Sequence, residues 1–296
     1  MGTYFVILTC RDSENIIEEA VNSLKRQTQK PEYIIIINDG SKDKTAEILE
    51  KLQRDFDRLY VITNPDLGYD VTRIVSNWNK AIKLTDELKL VKTDYHMIAT
   101  DDTIYEDEYC EKIIKMLDVN SKIAIASGDY GDYKNIAPHG AGRFVRTSFF
   151  DIHHQFYPEK LGYESLVLFT AVLHGYTYKI FNNIKFKHVR QLGKDHHFYE
   201  FGASMRTLGY HPLFVIGRFF LYFLYGKPLG RKGAIFMFYS YLTFSPKESG
   251  YYSLYDKEIR KFISDIQCRR IKKIFRMTGY KKTFSHNNDG NKFGSI

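Results

Sequence analysis

Cysteine is scarce in this chain. Cys10, Cys110 and Cys268 are the only three in 296 residues. They are too few and too scattered for a disulfide framework or a cysteine-based zinc site, and read as reduced thiols of a cytosolic protein. Long apolar runs are also missing. The longest candidates are 213–225, interrupted by Gly217 and Arg218, and 234–244. Both fall short of the roughly 18–20 residues a spanning helix needs. The short apolar run at 4–8 has no basic stretch before it and no small-residue cleavage site after it, so no secretory signal is expected. The body of the chain lacks a charge excess. Residues 1–250 hold 32 Lys/Arg against 31 Asp/Glu, although the whole chain has a formal net charge of +8. That balance argues against a nucleic-acid-binding body.

The surplus lies at one end. Residues 251–296 carry 11 Lys/Arg and 4 Asp/Glu, which leaves room for an acidic partner or an anionic membrane there. The composition is 44% hydrophobic and 26% charged, that of a globular protein with ample material for a core. Its 16% aromatic content is the unusual figure.

The first half alternates strand and helix signals. Apolar runs at 3–9, 33–37, 59–63, 96–100 and 122–127 read as strands. Helical spacing is found at 14–27, 45–52, 72–84 and 106–117, with Ser13 as an N-cap for the first. This order predicts a mostly parallel sheet with helices on both faces. Beyond Gly128 a glycine-rich loop is expected to 142, then a helix at 163–174 and strands at 177–181 and 184–187. Helices are expected from 198, and a frayed polar tail at 283–296.

In such a sheet ligands bind outside the carboxyl ends of the strands. Three polar clusters fall there: Thr9-Cys10-Arg11-Asp12, Asn38-Asp39-Gly40-Ser41 and Thr100-Asp101-Asp102-Thr103. A single such Asp is often only a helix cap. Adjacent Asp101 and Asp102 at a strand end also suit a hard divalent cation that bridges to phosphate oxygens.

The run Ile34-Ile35-Ile36-Ile37-Asn38-Asp39-Gly40-Ser41-Lys42-Asp43-Lys44-Thr45 resembles the strand and Asp-Gly-Ser-x-Asp-x-Thr signature of the family 2 glycosyltransferases. The resemblance spans about 1–195. It implies an α/β GT-A fold, Rossmann-like with a mostly parallel mixed sheet. A nucleotide-binding half would occupy about 1–127 and an acceptor half 128–195. A helical, aromatic and basic extension would follow at 196–280, and a disordered tail at 281–296.

The resemblance also implies roles. Thr9, Arg11, Asp39 and Gly40 would contact the nucleotide, and Arg73 a phosphate. The family's Asp-x-Asp falls on Ala99-Thr100-Asp101, so its first Asp is replaced and Asp101 is left to ligate Mg²⁺ or Mn²⁺, with Asp102 beside it. Pro138-His139-Gly140-Ala141-Gly142-Arg143-Phe144-Val145-Arg146 resembles the family's segment that shapes the donor-sugar and acceptor pocket, where glycines such as Gly140 would let backbone approach a ligand; a surface loop is the alternative. Glu164 stands at the family's general-base position, with Glu159 as the fallback. The family's second acid is Ser165 here. His188 would join the metal, and Arg190 and Lys194 the leaving diphosphate. A solvated or structural role is the alternative for each of these side chains.

The activity implied is inverting transfer from a nucleotide sugar to a glycan or lipid-linked acceptor. The rivals are an inactive nucleotide- or sugar-binding protein and a nucleotidyltransferase. The aromatic segments and the amphipathic pattern at 256–276 could place residues 211–276 on an anionic membrane surface, or simply pack on the catalytic domain. A cytoplasmic protein, peripheral on the membrane's inner face, is the localisation expected.

Overall fold

The computed structural model describes residues 1–129, 137–138, 140–190, 198–226 and 230–284, with side chains as far as 273. The elements in order are β1 (Tyr4–Cys10), α1 (Ile17–Lys25), β2 (Ile34–Asn38), α2 (Thr45–Arg54), β3 (Leu59–Thr63), α3 (Arg73–Glu87), β4 (Tyr95–Thr100), β5 (Thr103–Tyr105), α4 (Tyr109–Val119) and β6 (Ile123–Asp129). Then come β7 (Arg143–Arg146), α5 (Thr147–His153), α6 (Tyr163–Leu173), β8 (Thr177–His188), α7 (Tyr199–Thr207), α8 (Pro212–Tyr225), α9 (Gly230–Thr243) and α10 (Lys257–Phe284).

The strands form one sheet in the order β3-β2-β1-β4-β7-β6-β8-β5. β1 runs parallel to β2 and β4, β2 to β3, and β6 to β8. β7 is antiparallel to both its neighbours, and β5 is antiparallel to β8. The isoleucine run explains why β2 lies inside. Ile34 and Ile36 point into one core with Ile17, Val21 and Leu24 of α1 and Ile113 and Leu117 of α4. Ile35 and Ile37 point the other way, against Val75 and Trp78 of α3, Phe149 and Phe150 of α5 and Val167 and Leu168 of α6. A strand covered on both faces needs apolar residues at every position rather than at alternate ones.

Several expectations are corrected. Ser13 does not cap α1: the N-cap is Ile16, without a side-chain hydrogen bond, and the Ser13 hydroxyl turns to the Arg11 carbonyl and to Asp101. β5, β7 and α5 were not foreseen. They are three, four and seven residues long, too short to establish a period. The strands expected at 177–181 and 184–187 are one strand, β8. Phe181 pairs with Gly128 and Lys185 with Asp129, so the residues between them bulge out of the ladder. Most of the loop expected at 128–142 lies outside the described residues, as does the stretch with Lys194. Of the expected tail, α10 takes in residues up to Phe284, and the remainder lies outside the described residues.

Helices α7–α10 share a third core with α6. It holds Leu166, Met205, Leu208, Val215, Tyr222, Met237, Tyr241 and Ile263. α7 and α9 meet backbone to backbone at Gly202, where a Cβ would lie 1.9 Å from the Met237 carbonyl oxygen. α10 joins this packing through Ile263, which is fully buried, and Ile259 beside it. No described helix is long and apolar enough to cross a membrane.

Candidate active site

The parallel strands end together on one edge of the sheet, and the turns that leave them are sewn to one another. Asn38 Oδ1 accepts hydrogen bonds from the Ser41 backbone N–H (3.1 Å) and hydroxyl (2.6 Å). Ser41 Oγ accepts in turn from the Asp12 N–H. Asp43 accepts from the Glu14 and Thr45 N–H groups, and Thr45 Oγ1 from the Ser13 N–H. Thus Ser41, Asp43 and Thr45 of the signature tie the β2–α2 turn to the β1–α1 turn. Gly40 has φ +68°, and a Cβ there would lie 2.6 Å from the Asp66 Cα. Its close approach is to the 65–66 backbone.

Asp39 is the centre of the first cluster. Arg73, at the start of α3, donates through Nη2 to Asp39 Oδ2 at 2.9 Å and through Nε to both oxygens at 3.2 Å. Asn64 donates to Oδ1 at 3.1 Å. Burial works against ionisation of Asp39, but the hydrogen bonds from Arg73, Asn77 and Asn64 outweigh it and hold the carboxyl below its ordinary range. Arg11 donates to the Asp39 carbonyl and, at 2.8 Å, to Asp66 Oδ1. Asp66 also takes Lys42 at 2.9 Å. Hydrogen bonds from Arg11, Lys42 and the Gly68 N–H keep it well below the usual carboxylate range.

The second cluster joins β1, β4 and β8. Thr9 pairs in register with Ile37 on one side and Thr100 on the other. Asp101 follows β4 and is only 8% exposed. The Ser13 hydroxyl donates to its Oδ2, and Arg190 Nη1 lies 3.7 Å from the same oxygen. Burial pushes its carboxyl up, and Ser13 and Arg190 offset this only in part. Asp102 moves the other way: burial raises it, but the hydrogen bond and charge of His188 bring it below its ordinary range. The His188 Nδ1 lies 3.2 Å from Asp102 Oδ2. Arg190 Nη2 also donates to the Asp12 carbonyl at 3.3 Å, which links the end of β8 to the end of β1. Ala99, two residues before Asp101, is fully buried in the core.

The third cluster surrounds Glu164, in the first turn of α6. Its Oε1 accepts from the Gly140 N–H at 2.8 Å and from Arg143 Nη1 at 3.0 Å. The Gly140 amide is therefore turned to Glu164. Arg143 opens β7 and is 1% exposed, with its guanidinium stacked 5.2 Å from the Trp78 ring and 5.6 Å from that of Tyr157. The Gly142 N–H donates to the Ile98 carbonyl, near the end of β4, so this cluster stands on the same edge as the other two. Glu159, the fallback acid, accepts from Asn79.

Residues 5–185 match the model of glycosyl transferase family 2. The chain belongs to that family. Among curated relatives, this family 2 chain is 30% identical over 128 residues to the poly-beta-1,6-N-acetyl-D-glucosamine synthase of Staphylococcus aureus strain COL, a match covering 43% of this chain and 28% of that one. It is 26% identical over 123 residues to the synthase of the same name in Staphylococcus epidermidis, covering 42% and 27%. The matches thus span little more than a quarter of the length of these relatives. Among solved structures it is similar to the mannosyltransferase PcManGT of Pyrobaculum calidifontis in complex with GDP-Man and Mn²⁺, with TM-score 0.55, 12% identity, and coverage of 69% of this chain and 62% of that one. It is also similar to residues 1–349 of S. aureus TarS in complex with UDP-GlcNAc, with TM-score 0.53, 17% identity, and coverage of 81% and 71%. The mixed, mostly parallel sheet with flanking helices is that of these GT-A glycosyltransferases.

Four further residues of this candidate site were not singled out from sequence: Asn64 and Asp66, Ser13, read only as a helix cap, and Arg143, read only as part of the segment 138–146. Arg143 left a usable signal, since it opens a short apolar run, and a buried Arg is rare without a carboxylate partner. Ser13 and Asn64 left none, because their partners are 88 and 25 residues away.

Proposed function

We propose that this chain transfers a sugar from a nucleoside-diphosphate sugar to a hydroxyl of a glycan or lipid-linked saccharide, with inversion at the anomeric carbon. The observation that carries the proposal is that three carboxylates, each beside an arginine from another element, share one sheet edge. They are Asp39 with Arg73, Asp101 with Arg190 and Glu164 with Arg143. Asp39, Thr9, Arg11 and Gly40 would frame the nucleoside. Arg73 and Arg190 would meet the diphosphate, whose negative charge grows as the sugar leaves. Glu164 would take the acceptor's proton as the hydroxyl attacks.

The donor chemistry around Asp101 suits Mg²⁺ or Mn²⁺, since carboxylates and an imidazole are ligands both ions accept. A buried carboxylate whose one charged partner among the described residues is an arginine at 3.7 Å leaves negative charge for such an ion to compensate. Among the described residues no three His, Cys, Asp or Glu side chains are grouped so as to hold an ion unaided. Asp101 and His188, with Asp102 beside them, would therefore hold it together with diphosphate oxygens. When bound, the ion stabilises charge on the leaving group.

Glu164→Gln is expected to keep donor binding and lose transfer by about 10²-fold or more. Near-normal turnover would remove Glu164 from the role of base. Asp101→Asn should abolish the metal dependence of donor binding, measured as the thermal shift given by nucleoside diphosphates and nucleotide sugars with and without Mn²⁺. An unchanged titration would reject its role. Slow metal-dependent release of nucleoside diphosphate by the unaltered protein distinguishes an enzyme from an inactive binder of the same fold.

A further inference from the structure

Helices α8 and α9 pack against each other through Phe219 and Phe238, whose rings lie 5.0 Å apart. Each buries one face in the third core: Val215 and Tyr222 from α8, Ala234, Met237 and Tyr241 from α9. The opposite faces are also apolar, and they face solvent. On α8, Leu213, Phe220 and Leu224 recur at helical spacing and are 54–68% exposed. On α9, Phe236, Tyr239 and Leu242 recur likewise and are 57–61% exposed. Large exposed side chains in such number form a patch on the order of several hundred Å², the size that marks an interaction surface.

Charge selects the occupant. Residues 201–247 contain six Lys/Arg and no Asp or Glu. Arg218 stacks on the rings of Phe214 and Tyr222, and Arg231 lies over Phe223. Arg231 and Lys232, in the first turn of α9, are exposed at the end of that helix. A second copy docked on this face would bring together two segments that carry Lys/Arg and no acid, and like charges there oppose association. A bilayer with anionic headgroups offers apolar depth and negative charge at once.

We propose that the outer face of the α8–α9 hairpin is an interfacial docking surface for anionic phospholipid membranes. It stands apart from the sugar-transfer reading, because no residue in it belongs to the candidate site. The proposal also narrows the surface expected from sequence. From α10, Ile263 is buried in the core and Ile259 packs beside it, so the hairpin is the part proposed to insert.

The test is co-sedimentation of the full chain with phosphatidylglycerol-containing vesicles and with pure phosphatidylcholine vesicles. Binding to the former, weakened at least tenfold by high salt and by Leu224→Glu with Phe236→Glu, is the expected result. Arg231→Glu with Lys232→Glu should remove the preference for anionic lipid. Val119→Glu, at an exposed apolar residue on α4, should change nothing. Unchanged thermal melting of all three variants shows that they fold. Absence of binding, equal binding to both vesicle types, or a dimer in vesicle-free solution that the hairpin variants dissociate would each overturn the proposal.

Discussion

Replacing Arg143 with Met tests the site and the fold together. The guanidinium is buried against the rings of Trp78 and Tyr157 and donates at 3.0 Å to Glu164, whose side chain is 27% exposed. Removing one partner of a fully buried ion pair costs about 3–5 kcal/mol. Partial exposure of Glu164 lets water compensate, which brings that loss to about 2 kcal/mol. Loss of the stacking on two rings adds roughly 1 kcal/mol. Methionine fills most of the volume, so no large cavity offsets or enlarges the sum. The expected destabilisation is therefore about 3 kcal/mol, read as a fall in the urea midpoint at unchanged m-value. Transfer should fall as well, because the Glu164 carboxylate loses a donor that aims it, while donor affinity is kept. Arg143→Lys keeps the charge but not the planar fork, and should fall between the two. Wild-type stability together with wild-type turnover in Arg143→Met would refute the reasoning.

Two further predictions rest on the rest of the fold. Gly202→Ala places a methyl 1.9 Å from a carbonyl oxygen of α9; separating the helices should cost about 3 kcal/mol or more, and an unaltered urea melt would show that the crossing can relax. His96 is buried against Tyr157, with Nε2 2.8 Å from the hydroxyl, and burial followed by the charge of Arg143 lowers its pKa from 6.5 to about 3. Between those values the unfolded chain takes up a proton that the folded chain refuses. Its contribution is thus complete above pH 6.5 and is lost as pH falls, by about 2 kcal/mol at pH 5. His96→Gln should flatten that part of the stability–pH curve, and an identical slope in the variant would exclude His96 as its source.

The first half of the chain was legible because its signals are local. The continuous isoleucines of β2 and the helical spacing of α3 require no knowledge of partners. The signature at 39–45 was equally plain, yet much of its chemistry is not ligand contact. Ser41, Asp43 and Thr45 fasten one turn to another, a role that a linear motif cannot display. Arg73 was read as a phosphate contact, and the structure adds its pairing with Asp39, 34 residues away. The second half was harder. β7 is four residues long with an arginine at each end, and Arg143 acquires its meaning only from the rings and the carboxylate that surround it.

The sequence by itself determined the alternation of strand and helix, the family, and the residue types at the sheet's carboxyl edge. These follow from periodicity and short motifs, which act over a few residues. The tertiary structure alone decided which charges pair, and that Asp101 sits buried with its carboxyl pushed up while the adjacent Asp102 is brought down. It also decided which apolar face of the C-terminal helices enters the core and which meets solvent. Both depend on desolvation and on contacts between residues far apart in the chain, and neither quantity exists until the chain has folded.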